Sequence, residues 1–156
     1  MIEKIGKGPA KRLTIEITES FRIYDLKLAN ENIQKLRARG VMVCMDDFGA
    51  GEATLRYLRE LEVDVVKIDG LYVRGAVNSP RDQILLRHIT SLCADLKVLT
   101  VAEMIETTET AELVRNLGVD MGQGWLFGGP SEQPVMRAQD LGTSTARRAG
   151  ARETWG

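Results

Sequence analysis

Val41-Met42-Val43-Cys44-Met45-Asp46-Asp47-Phe48-Gly49 is the stretch on which the fold class turns. Its five leading apolar residues are too few for a buried helix and do not alternate with polar ones. They read as a short strand covered on both faces, as inside a parallel sheet. Upstream, Leu26, Ala29, Ile33 and Leu36 recur at three- and four-residue steps, which predicts a helix over 25–39, and Gly40 stands where a left-handed cap ends it. Before that helix, Leu13-Thr14-Ile15-Glu16-Ile17-Thr18 alternates apolar and polar residues and reads as a strand. Downstream the pattern repeats: a short helix through Leu55, Leu58 and Leu61, a strand over 63–68, a helix over 81–96, a strand over 99–102, a helix over 107–117 stopped by Gly118, and a Gly-rich strand over 119–126. Strands separated by helices of this length pair in parallel through right-handed crossovers, so the class is α/β with about five parallel strands.

Composition narrows the function. The chain has 156 residues, 44% hydrophobic and 28% charged, with 21 Lys and Arg against 22 Asp and Glu, which suits one globular domain. There is no basic excess to collect phosphates by counterion release, so general nucleic-acid binding is not expected. No apolar stretch approaches the roughly 20 residues that span a bilayer, so no membrane insertion is expected. The first residues lack the apolar core of a signal peptide, which makes the cytoplasm the expected location. Cys44 and Cys93 lie in apolar segments without a Cys or His at metal-ligand spacing and are expected as buried, reduced thiols. Residues 1–12 read as an N-terminal extension. Residues 131–156 contain few large apolar side chains and read as a flexible tail.

The chemistry is expected where strands end. Glu16, Asp46 with Asp47, Lys67, Glu103 and Gln123 each close an apolar strand on its C-terminal side. With a side-chain period of two, Glu16 shares a face with Thr14, Lys67 with Val65 and Asp69, and Glu103 with Val101, so these groups can converge on one rim. That rim is where parallel α/β folds build their sites. Carboxylates brought together repel unless a cation neutralises them, and hard oxygen donors suit Mg²⁺ or Mn²⁺. An adjacent Asp pair lets one carboxylate bridge two ions, an arrangement used in phosphodiester hydrolysis. The competing reading is that these residues cap the following helices. Gly49-Ala50-Gly51 is a weak phosphate cradle, since Thr54 stands where a third glycine belongs. His88 falls on a helix face with Ile84, Leu85 and Leu92 and is expected to be packed or half-exposed rather than catalytic.

Five motifs in order carry a family resemblance: Leu13-Thr14-Ile15-Glu16-Ile17-Thr18-Glu19, Asp46-Asp47-Phe48-Gly49-Ala50-Gly51, Lys67-Ile68-Asp69, Ala102-Glu103-x-x-Glu106-Thr107 and Gln123-Gly124-Trp125-Leu126-Phe127. From about Leu13 to Pro130 the chain resembles an EAL domain, the bacterial phosphodiesterase family that hydrolyses cyclic di-GMP with two Mg²⁺ or Mn²⁺ ions at the C-terminal rim of a TIM-like barrel. The resemblance implies metal ligation by Glu16, Asp46, Asp47 and Glu103, with Asp46 bridging both ions. It implies catalytic roles for Glu103, Lys67 and Asp47. It also implies support of the rim or its loops by Glu19, Asp69, Glu106 and Gln123. No substrate-binding residue is assigned.

The departures from the family pattern are equally informative. A TIM-like barrel needs eight strands and about 250 residues, while only about five strands are legible, so the fold is expected to be a partial barrel lacking the first strands. The Glu-Ala-Leu signature is absent, and with it a metal ligand, a substrate-contacting arginine and an asparagine ligand on the next strand. Met104-Ile105 stands where Gly-Val is usual, Glu52-Ala53-Thr54 replaces Tyr-Ser-Ser, and Gly70 follows Lys67-Ile68-Asp69 in place of arginine. Met104 either crowds the ligand beside it or points into the helix layer. The expectation is a cyclic di-GMP binding or protein-binding regulatory module with impaired hydrolysis. The alternative is an active phosphodiesterase whose missing strands come from another chain or a longer gene product. A third reading, a protein-interaction module alone, sits poorly with so many rim carboxylates. An open sheet further predicts two unpaired edges, the Leu13 strand and the Val119 strand, and hence a homodimer or a partner protein covering them, with the N-terminal residues or the basic tail as the alternative cover for one edge.

Overall fold

The computed structural model describes residues 13–18, 23–49, 54–129 and 152–154. The elements run β1 (Thr14–Thr18), α1 (Leu26–Arg37), β2 (Met42–Phe48), α2 (Thr54–Glu60), β3 (Val65–Ile68), α3 (Gly70–Asn78), α4 (Pro80–Asp95), β4 (Leu99–Ala102), α5 (Thr108–Asn116), β5 (Met121–Gln123) and β6 (Arg152–Thr154). The sheet order is β1-β2-β3-β4-β5-β6, with β1 to β5 paired in parallel. Consecutive order carries a physical consequence. Right-handed crossovers that always step the same way put every helix on one face, as in a (β/α) barrel, whereas a doubly wound sheet reverses its order and covers both faces.

The two faces of the sheet hold separate cores. Towards the helices, Val43, Met45, Phe48, Val66, Ile68 and Ala102 pack with α1 residues Leu26 and Ile33, and with Val73, Leu86, Cys93 and Val114 of later helices. On the other face Cys44, Val65 and Val101 form a smaller buried cluster with Met42 and Met121 against it. This is the double coverage that the run 41–45 predicts. Burying one such side chain contributes about 1.5–3 kcal/mol. Both cysteines are buried thiols outside any disulfide, as expected.

Helix ends follow local chemistry. Asp25, Ser79 and Thr107 cap α1, α4 and α5 by accepting from backbone N–H groups, and Gly40 and Gly118 take φ of 85° and 91° after α1 and α5.

The structure adds four features to the sequence reading. β2 does not stop before the Asp pair but continues through Phe48. A helix unmarked by the apolar pattern, α3, fills residues 70–78; Gly70, Val73 and Gly75 are poor helix formers, and Asp69 starts it by accepting from Leu71 N at 2.6 Å. His88 is exposed along with Ile84 and Leu85, because α4 turns Leu86, Thr90 and Cys93 inward instead. Finally, Arg152–Thr154 of the expected tail pairs antiparallel with β5 through Met121↔Thr154 and Gln123↔Arg152, so the β5 edge is covered rather than bare. Backbone pairing to an exposed edge needs no large apolar side chain, so a polar tail segment can supply it. The rest of 131–156 and all of 1–12 lie outside the described residues.

Candidate metal centre

Period-two alternation would send Asp46 and Asp47 to opposite faces of a regular strand. The register of β2 against β3 shifts between Met45 and Phe48, and Asp47 takes a left-handed φ of 56°. Such an irregularity re-aims side chains at a strand's end, and Asp tolerates the left-handed region better than most residues. Its effect is to gather both neighbours: ligand oxygens of Asp46, Asp47 and Glu103 all lie within 4.8 Å of one another. Phe48, buried beneath, anchors the shifted segment.

Lys67 occupies the middle of this group. It is 6% exposed on β3, and its Nζ donates to Asp46 Oδ1 at 2.6 Å, with Glu103 Oε1 at 2.7 Å and Glu16 Oε2 at 3.7 Å. Burial alone would lower the lysine's pKa, but the hydrogen bonds to Asp46 and Glu103 outweigh it and hold the ammonium above the ordinary lysine range. Glu103 is itself raised, first by burial and further by the Asp46 and Asp47 charges, against the pull of Lys67. Burial is the largest of these effects, so Glu103 stays raised even with the ammonium beside it.

The donor set fits a hard divalent cation: carboxylate oxygens, clustered, with no thiolate or imidazole among them. A second observation agrees. Gln123 Oε1 is buried without a hydrogen-bond partner, and the pairing Ala102↔Gly122 places Gln123 beside Glu103 on the neighbouring strand. A buried acceptor without a donor is costly unless something positive meets it.

The other sequence-derived candidates divide. Glu16 joins the rim through Lys67. Asp69 spends its carboxylate on the α3 cap, the helix-cap alternative weighed above. Glu106 is exposed and outside the cluster. Glu19, Ala50, Gly51 and the segment 52–53 lie outside the described residues. Met104 leans over α3, with Sδ 2.8 Å from Arg74 Nη1.

One contributor was missed. Tyr72 lays its ring over Gly49, whose φ is 102°, and its hydroxyl donates to Gly49 O at 3.3 Å, bracing the segment after the Asp pair. It sits on the helix that hydrophobic periodicity did not disclose.

A family model for the EAL domain matches residues 2–130. The chain belongs to the EAL domain family. The match takes in residues 2–12, upstream of the motifs. Cyclic di-GMP phosphodiesterase PdeB of Shewanella oneidensis is 34% identical to this EAL segment, over 96% of the chain and 18% of that protein. The crystal structure of an EAL domain protein from Listeria monocytogenes superposes with a TM-score of 0.71 at 38% identity, covering 78% of this chain and 48% of that one. The manganese and cyclic di-GMP complex of Klebsiella pneumoniae BlrP1 superposes with a TM-score of 0.71 at 31% identity, over 78% of this chain and 31% of that one. The segment therefore spans about half of the Listeria structure and under a fifth of PdeB.

Proposed function

We propose that this EAL segment works in cyclic di-GMP signalling as a metal-dependent binding and regulatory module whose hydrolysis of the dinucleotide, as the chain stands, is weak or absent. The observation that carries this reading is the meeting of Asp46, Asp47 and Glu103 around buried Lys67. The resemblance expects two further ligands, the glutamate of Glu-Ala-Leu and an asparagine, and this sequence contains no Glu-Ala-Leu. That is the reason for impaired turnover.

In this proposal Asp46, Asp47, Glu103 and Glu16 hold Mg²⁺ or Mn²⁺, with Gln123 as a neighbouring contact. When bound, such an ion supplies Lewis-acid polarisation of a phosphodiester oxygen and lowers the pKa of bound water. The protein's own groups would do the rest. Lys67 presents positive charge where a phosphate oxygen gathers negative charge. Glu103, among these carboxylates, would be the group to take up a proton from water. The proposed setting is cytoplasmic. No helix among the described residues is long and apolar enough to cross a membrane.

A second reading is favoured by one fact, the 48% coverage of the Listeria structure. In it the remaining barrel strands come from another polypeptide or a longer gene product, and the assembled protein is an active phosphodiesterase. Association of this chain with a second copy, or with a protein on the β1 side, is the form of that proposal left once β6 covers β5.

Turnover of cyclic di-GMP in Mg²⁺ and in Mn²⁺, with the linear product separated chromatographically and Glu103→Ala as control, tests both readings. Dinucleotide binding without product supports the first. Product that depends on Glu103 and on light-scattering evidence of assembly supports the second, and absence of both metal and dinucleotide binding rejects the first.

A further inference from the structure

We propose that Met104 is a positioning residue for Glu103, acting through an interlock with Gly70 and Arg74; the inference builds on the metal-centre reading. Glu103 follows the last residue of β4, with its N–H donating to Ile68 O at 3.2 Å. Two residues on, Ile105 is fully buried and its N–H donates to Gln123 O at 3.0 Å. Between these fixed points the chain turns through Met104, whose φ is 56°. A non-glycine residue stays in the left-handed region only where its surroundings hold it there.

What holds it is the start of α3. A Cβ at position 70 would stand 2.5 Å from Met104 Sδ, 2.7 Å from its Cγ and 2.9 Å from its Cβ, so the methionine occupies the space that glycine leaves. Arg74 adds an N–H to the same sulfur at 2.8 Å. Gly70 and Arg74 are four apart and share one helix face. That helix leaves β3 immediately after Lys67-Ile68-Asp69, where the Asp69 cap sets its first turn.

The interlock therefore ties the end of β4 to the end of β3. Lys67 and Glu103, the residues whose side chains meet at 2.7 Å, stand just inside the two tied points. Met104 itself is 49% exposed and leans over α3, so it acts through the backbone turn it stabilises. A shift of that turn would swing the Glu103 carboxylate away from both Lys67 and Asp46.

The test is a cycle of Gly70→Ala, Met104→Gly and the double variant, with two readouts on the intact chain. One is the Lys67 ammonium resonance by ¹H–¹⁵N NMR without metal, which reports the ion pair with Glu103. The other is Mn²⁺ affinity by calorimetry, with thermal unfolding recorded alongside. Gly70→Ala is expected to shift the ammonium resonance and weaken Mn²⁺ binding about ten-fold, the scale seen when supports of a metal ligand are lost. In the Met104→Gly background, where the blocking side chain is gone, adding Gly70→Ala is expected to have no further effect. Additive effects, or a lowered melting temperature with the resonance unmoved, would overturn the proposal and leave a structural contact only. If Gly70→Ala does not fold, Met104→Gly alone decides, since an unchanged ammonium resonance there is equally fatal. Failure of the unaltered chain to bind Mn²⁺ rejects the metal-centre reading, while the metal-free resonance still judges the interlock.

Discussion

The two ends of the parallel sheet use aspartate in opposite ways. At the N-terminal end, Asp64 accepts from Val43 N at 2.9 Å and from Arg37 Nε at 2.9 Å, and Asp120 accepts from Thr100 N at 2.8 Å and Thr100 Oγ1 at 2.7 Å. Each carboxylate staples one strand to its neighbour and meets donors. At the C-terminal end, Asp46, Asp47 and Glu103 crowd together around one lysine. One end is built for stability. The other concentrates negative charge and left-handed backbone at Asp47 and Met104, a strain that persists only where the surrounding packing holds it.

Substitutions that interchange these roles test the contrast, and the largest effect is expected at the C-terminal end. Asp46→Ala should weaken Mn²⁺ binding by about 100-fold or more by calorimetry, since losing a ligand costs at least as much as losing a ligand's support. Asp64→Ala should leave Mn²⁺ affinity unchanged and lower unfolding stability in urea by about 2–3 kcal/mol, because the buried Val43 N–H loses its acceptor. Equal effects of the two on metal binding would erase the distinction.

Asp120 reaches beyond its staple. Burial first, and then the charge of Asp120, push the Cys93 thiol from 9.0 up to about 11. Below pH 9 the thiol is neutral whether the chain is folded or not. Between about pH 9 and 11 the unfolded chain loses that proton while the folded one keeps it, so stability falls as pH rises, by about 3 kcal/mol in all. Urea unfolding across that range should show the slope, and Cys93→Ala should lack it.

The smallest change is expected from Asp47→Asn, since asparagine tolerates the left-handed conformation and relieves one charge of the cluster. Its unfolding stability without metal should stay level or rise by less than about 1 kcal/mol, while Mn²⁺ affinity falls. A clear loss of metal-free stability would show that Asp47 is a structural residue like Asp64.

Much of this was legible in the residues themselves. The run Val41 to Met45 announced a strand with two covered faces, and cores on both sides of it bear that out. Glu103 and Lys67 could be placed on one rim because alternation along a strand is a local property. Asp69 could be placed at the end of β3 in the same way, but that its carboxylate caps α3 depends on the turn the chain makes there. That helix escaped notice because its stability comes from burying Gly70, Val73 and Ala76 in the core beside α4 and α5 rather than from propensity.

By itself the sequence determined the fold class, the parallel order implied by alternating elements, the motifs of the EAL family and the residue types that could meet at the strand ends. These follow from periodicity and side-chain chemistry, which act over a few residues. Only the tertiary structure decided that Asp46 and Asp47 aim together, that Lys67 lies between Asp46 and Glu103, that Met104 fills the hollow at Gly70, and that Arg152–Thr154 closes the β5 edge. Each depends on contacts between segments about 20 or more residues apart, and the energy of such contacts is set by packing geometry that no local pattern encodes.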